Sequence, residues 1–125
     1  MARISIRPIE PLELEFADGT IKKALFNNET FVLFTEEFGA LDNLIDTELK
    51  NKPYDFVAKI LYCGMKVLDK TITLDEAYSI TVGGGEPLAM EIMNSTVENF
   101  MLSADEDLKK KFNKEVNRIT KELME

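Results

Sequence analysis

The segment PYDFVAKILYCGMKVLDK, residues 53–70, has the apolar spacing of a helix that packs along one face. Pro53 suits the first turn of such a helix, where the missing N–H is not needed. The apolar face is formed by Val57, Ile60, Leu61, Gly64 and Leu68. Because Gly64 lies on this face and has no side chain, we expect another part of the backbone to approach the helix closely there.

The segment upstream also has a helical period of apolar residues. The residues that carry it are Phe31, Phe34, Phe38, Leu41 and Ile45. Asn28 is the predicted N-cap, and Gly39 is expected to kink this helix or to divide it in two.

The N-terminal part alternates with a period of two instead. In RISIRPI, residues 3–9, the apolar Ile4 and Ile6 alternate with polar residues, and LELEF, residues 12–16, repeats the pattern. Asp18-Gly19 predicts a hairpin with a two-residue turn. That turn would place Phe16 opposite Ile21 and Leu14 opposite Lys23. A bulge or a Lys stem lying along the apolar face would accommodate Leu14, and both alternatives remain open.

The segments downstream begin with two capping boxes. Thr73 with Glu76 predicts a short helix ending near Val82, and Ser103 with Glu106 predicts a last helix that reaches the C-terminus. Between them we expect a turn at residues 83–85 and a helix from Pro87 to about residue 102. One apolar stripe follows the last helix and comprises Leu108, Phe112, Val116, Ile119 and Leu123. This stripe is either core or a face offered to a partner helix, and we select it as the candidate contact face.

Composition excludes several classes of function. The chain has 125 residues, a formal net charge of -8, no His and one Cys. The acidic balance argues against nucleic-acid and membrane partners, since phosphate binding rests on Lys and Arg. A single cysteine and the lack of an apolar leader or spanning segment favour a soluble cytoplasmic protein. Without His, the commonest general base is missing, so we expect neither an enzyme nor a bound cofactor or metal.

Three features could carry chemistry, and each has a simpler explanation. Gly83, Gly84 and Gly85 are followed by Glu86 and Pro87 rather than by the Lys and hydroxyl of a phosphate loop, so a turn between helices is favoured. Cys63 lies in an apolar helix, as a buried free cysteine does. The consecutive acids 105–107 diverge around a helix start, where they favour the positive end of the helix.

The segment AKILYCGMK, followed by TLDEAYSITVGGG, resembles the tail assembly chaperones of long-tailed bacteriophages and prophages of Gram-positive hosts. The matching positions are Leu61, Tyr62, Cys63 and Gly64, then Thr73, Glu76, Ala77 and the glycines 83–85. FVLFTEEFGALDNL, residues 31–44, extends the resemblance, although Cys63 stands where the family more usually has Ala. The resemblance implies a small non-enzymatic protein that binds the tape measure protein while tail-tube subunits polymerise around it.

We therefore predict a mainly helical α+β fold. It has an N-terminal antiparallel hairpin or three-stranded element, followed by a bundle of four to six helices. Residues 1–125 are expected to form one domain, with a β element at 1–27, a helical core at 28–102 and an amphipathic helix at 103–125. The predicted function is that of a tail assembly chaperone for the tape measure protein, and the tail tube protein and a homo-oligomer are left open as further partners. The alternative is an acidic inhibitor or DNA mimic, because residues 71–108 contain eight acids and no base.

Overall fold

The computed structural model describes residues 10–96 and 106–124. Within them, a two-stranded antiparallel sheet precedes five α-helices and one π-helical segment, which confirms the predicted mainly helical α+β fold. The elements are β1 Leu12–Glu15, β2 Ile21–Ala24, α1 Asn28–Phe38, α2 Leu41–Leu44, the π segment Ile45–Leu49, α3 Pro53–Lys66, α4 Leu74–Ser95 and α5 Glu106–Met124. The strand predicted around Ile4 and Ile6, the Ser103 cap and the helix end near residue 102 lie outside the described residues.

The hairpin forms where the sequence predicts it, but the predicted register is wrong by one residue. Leu14 lies opposite Lys22 and Glu13 opposite Lys23. The Phe16 N–H donates to the Thr20 carbonyl at 2.8 Å, and the Gly19 N–H donates to the Phe16 carbonyl at 2.9 Å. This is a three-residue loop, and Gly19 adopts the positive φ of 87° that such a loop places at its last position.

The helix of residues 53–66, α3, is the central element of the core. It packs against α1, the π segment, α4 and β2. Val57, Ile60 and Leu61 are buried as predicted, but Leu68 lies beyond the helix end and is 48% exposed. The predicted close approach at Gly64 is confirmed, because the Leu25 N–H donates to the Gly64 carbonyl at 2.8 Å.

Helix α1 is capped one residue earlier than predicted. Asn27, not Asn28, is the N-cap: its side chain accepts from the Thr30 N–H at 3.1 Å, and the Thr30 hydroxyl donates to the Leu25 carbonyl at 2.6 Å. Gly39, with φ 94°, ends the helix, so the predicted division at this glycine is confirmed. The π segment that follows α2 was not predicted. It buries Ile45 and Leu49.

Helix α4 consists of two arms that meet at Gly85. The first arm does not stop near Val82 as predicted but continues through Gly83 and Gly84, whose φ angles are not positive. Gly85 breaks the helix with φ 65° and ψ -157°, and Pro87 follows in the first turn of the second arm, where the sequence predicts the restart. The break lets the first arm lie beside the hairpin while the second arm packs near α5.

Candidate functional site

The predicted contact stripe of α5 packs on the core of its own chain. Phe112, Val116 and Ile119 are buried, and Leu108 is half-buried against the core. The Phe112 ring lies 6.0 Å from the ring of Phe56 on α3, measured between centroids. The side chain of Leu123 lies outside the described residues. The use of this stripe by a partner stays a prediction, and it would require α5 to leave the core first.

Ion pairs reinforce this packing at the surface. The Lys111 ammonium lies 2.6 Å from carboxylate oxygens of both Asp42 and Asp46, which flank the junction between α2 and the π segment. These two hydrogen bonds raise the pKa of Lys111 above its ordinary value, so the ammonium stays charged. Further along, Arg118 donates to the Lys50 carbonyl at 3.2 Å. The basic residues of α5 therefore serve, at least in part, to hold the helix on acidic and carbonyl groups of its own chain.

A concave surface lies between the hairpin and α4. It consists of two adjoining depressions of about 480 and 620 Å³ that share Phe16, Ser79 and Ile80. We call the larger one the hairpin groove. Its walls are residues 13–17 of the hairpin on one side and Ser79, Ile80, Gly83, Gly84 and Leu88 on the other. The small residues Ser79 and Gly83 leave space open, and a Cβ added at Gly83 would meet nothing within 4 Å, whereas the Leu88 side chain covers Gly84.

The rim of these depressions is mainly acidic. Glu13 and Glu15 project from β1, and Asp18, Asp75 and Glu76 border the smaller depression. The Thr20 N–H donates to the Asp18 carboxylate at 2.9 Å and lowers the pKa of that group, so it stays ionised. The smaller depression also contains one cation, Lys22, which reaches Glu76 at 3.6 Å and ties the hairpin to α4.

Helix α4 also exposes an apolar stripe, and none of its residues lines either depression. Leu74, Tyr78 and Val82 are 36%, 44% and 53% exposed, and their spacing of four residues aligns them on one side of the first arm. We call these three residues the α4 stripe. The sequence shows the spacing of the three residues but not that they are exposed, since burial depends on which face of α4 meets the rest of the fold. Apolar residues at this spacing on an exposed face are a common feature of helices that bind partners.

The other sequence candidates have no visible chemical role. Cys63 is fully buried, and burial raises the pKa of its thiol to about 12. The three glycines form the end of a helical arm and its break, and Glu86 follows them directly. In the part of the chain that the structure describes, carboxylates and thiols do not gather in threes as a metal site would require. Among the same residues, no helix has both the length and the apolar character needed to cross a membrane.

No protein-family model, no curated protein and no solved structure matches this chain.

Proposed function

We propose that this protein is a tail assembly chaperone of a long-tailed phage or prophage, which binds the tape measure protein in the host cytoplasm and keeps it soluble. The observation that carries the proposal is the exposed α4 stripe, on the same arm of α4 that forms one wall of the open, acid-rimmed hairpin groove. The resemblance of residues 61–64, 73–77 and 83–85 to the chaperone family supports the same role.

A chaperone of this kind needs apolar surface for its client and charge to keep itself soluble. The α4 stripe supplies apolar surface, and the net charge of -8 makes copies of the protein repel one another. The stripe and the groove are both accessible while α5 stays on the core. Client binding at either of them therefore requires no unfolding of the chaperone.

Co-expression with the tape measure protein of the same gene cluster tests the proposal. We expect the two proteins to co-purify and the soluble fraction of the tape measure protein to rise. Val82→Lys together with Tyr78→Lys should abolish both effects, because two charges would then interrupt the apolar stripe. Val32→Lys together with Leu68→Lys is the matched control, since Val32 and Leu68 are apolar residues outside α4 that are 47% and 48% exposed. Failure of the wild-type pair to co-purify, with unchanged solubility of the tape measure protein, would refute the proposal.

A second function, an acidic inhibitor or DNA mimic, is favoured by the acids of α4. Asp75, Glu76, Glu86 and Glu91 are all exposed along this helix. A row of carboxylates can occupy a cationic groove that otherwise binds phosphates. Salt-sensitive binding to a nucleic-acid enzyme, without affinity for the tape measure protein, would establish this function instead.

A further inference from the structure

We infer that the edge of β1 that faces away from β2 binds an extended basic segment of a partner protein as an added third strand. The inference rests on the proposed function in one respect: under that function, the basic segment belongs to the tape measure protein. It concerns a different surface from the α4 stripe, so the two can be tested separately.

The hydrogen-bonding pattern of the hairpin leaves one edge of β1 open. Phe16 bonds to Thr20 across the hairpin, and in an antiparallel pair such bonds recur at every second residue. Leu12, Leu14 and Phe16 therefore direct their backbone groups toward β2, whereas Glu13 and Glu15 direct theirs away from it. Within residues 10–96 and 106–124, those outward groups form no backbone hydrogen bond. They border the hairpin groove, so a strand has both partners and space there.

Charge determines which strand can bind. Glu13 and Glu15 lie on the same face of β1, two residues apart, and both are exposed. Glu13 lies 3.9 Å from Lys23, which is a weak exposed pair, and Glu15 forms no ion pair within the described residues. Opposite-charge pairs across neighbouring strands are favourable, so Lys or Arg at every second position of the added strand matches this edge.

The same charges disfavour a second copy of this chain at the edge. Two β1 strands paired antiparallel about Leu14 would place Glu13 of each copy opposite Glu15 of the other. Like charges directly opposite one another destabilise a sheet, and charged edge strands are a known protection against self-association. The acidic edge therefore favours a basic partner over a dimer.

The other face of the added strand meets apolar side chains. Phe16, Ile80 and Leu88 line the groove and are half-buried against the core. Since side chains alternate along a strand, residues between the basic positions would face these three and should be apolar. The expected ligand is an extended segment in which Lys or Arg alternates with a residue such as Ile or Val, bound by strand addition.

A fluorescent seven-residue peptide of alternating Lys and Ile is the probe for this edge. We expect it to bind the full chain and to shift the backbone amide resonances of Glu13, Glu15 and Gly83. A peptide of alternating Glu and Ile should not bind. Equal binding of both peptides, or shifts confined to other residues, would overturn the inference.

Substitutions distinguish the contribution of the two carboxylates to peptide binding from that of the backbone N–H groups. Glu13→Gln with Glu15→Gln should weaken binding at least tenfold. The control is Glu36→Gln with Glu91→Gln, which removes the same charge from two exposed sites on α1 and α4. Glu15→Pro should weaken binding further than Glu15→Gln, because it also removes an outward N–H that the hairpin does not use. Circular dichroism is the check that each variant is folded. Equal losses in the test and control pairs would mean general charge attraction and would refute the strand edge.

Three further outcomes are decisive. Residues 3–7, RISIR, have the same alternation as the probe and lie outside the described residues. Binding that appears only after Arg3→Glu with Arg7→Glu would mean that the chain's own segment competes for the edge, and this would overturn the inference. Co-purification of the tape measure protein that is as strong with Glu13→Gln and Glu15→Gln as with the wild type would refute the assignment of the basic segment to this client and would leave the proposed function intact. Peptide binding without any co-purification of the tape measure protein would refute the proposed function and would leave the inference about the β1 edge intact.

Discussion

Gly64→Ala should destabilise the protein, although alanine is normally the better helix residue. A Cβ at position 64 would lie 2.7 Å from Cε1 of Phe26 and 3.1 Å from its Cδ1, whereas carbon atoms in contact are usually about 3.5–4.0 Å apart. Phe26 is 2% exposed, so its ring has no free space to move into. The hydrogen bond from Leu25 to the Gly64 carbonyl also holds the two segments together.

The net effect follows from two opposing terms. Overpacking of a dense core costs about 1–3 kcal/mol, and replacing Gly by Ala inside a helix contributes about 1 kcal/mol in the other direction. We therefore expect a net loss of about 1 kcal/mol in the free energy of unfolding. Gly83→Ala is the matched control, because its Cβ would meet nothing within 4 Å, and it should gain about 0.5–1 kcal/mol.

Urea unfolding followed by circular dichroism measures both variants. A second background, Phe26→Leu, removes the ring atoms that the new methyl group would meet. In that background, Gly64→Ala should lower the free energy of unfolding much less than it does in the wild type. If Gly64→Ala is as stable as Gly83→Ala in the wild-type background, the close packing of α3 against Phe26 is wrong.

Three other substitutions or probes test the fold around the candidate surfaces. Phe112→Ala should cost about 3–5 kcal/mol in urea unfolding, because the ring is fully buried; a loss below 1 kcal/mol would mean that α5 is not part of the core. Gly85→Ala should cost about 1–3 kcal/mol, since φ 65° with ψ -157° is open essentially to glycine alone, and an unchanged urea midpoint would contradict the break. Cys63 should react with a disulfide reagent at least about a thousandfold more slowly in the native protein than in urea. The rise in its pKa from 9.0 to about 12 lowers the thiolate fraction by that factor, and full-rate labelling of the native protein would refute its burial.

The helices could be predicted because their signals are local. The Phe31–Phe34–Phe38 spacing, the Thr73 cap and the Gly39 end each depend on residues within a turn or two of one another. The Glu76 N–H donates to Thr73 Oγ1 at 3.1 Å, as the capping box predicts. The hairpin shows the limit of this reasoning: Asp18-Gly19 suits both a two-residue and a three-residue loop, and the choice changes every cross-strand pair.

The candidate surfaces could not be predicted in the same way, because exposure is decided by distant parts of the chain. The stripes on α4 and α5 both have helical spacing, yet Phe112 is buried against Phe56 while Tyr78 is exposed. The groove depends on how far α4 lies from β1, which no short segment determines. The π segment likewise has no signal in its own residues that would separate it from an ordinary helical turn.

The break at Gly85 divides α4 into two parts that can open separately. Pro87 has no N–H, so the Gly83 carbonyl lacks the donor that an unbroken helix would supply four residues later. Residues 74–84 then depend on the hairpin and α3, whereas residues 86–95 depend on α3 and α5, for instance through Met90 and Thr120. Amide hydrogen exchange should therefore resolve two opening free energies along one helix, with the lower one in the arm beside the groove. One wall of the hairpin groove would then open while α5 and the core beneath it stay closed.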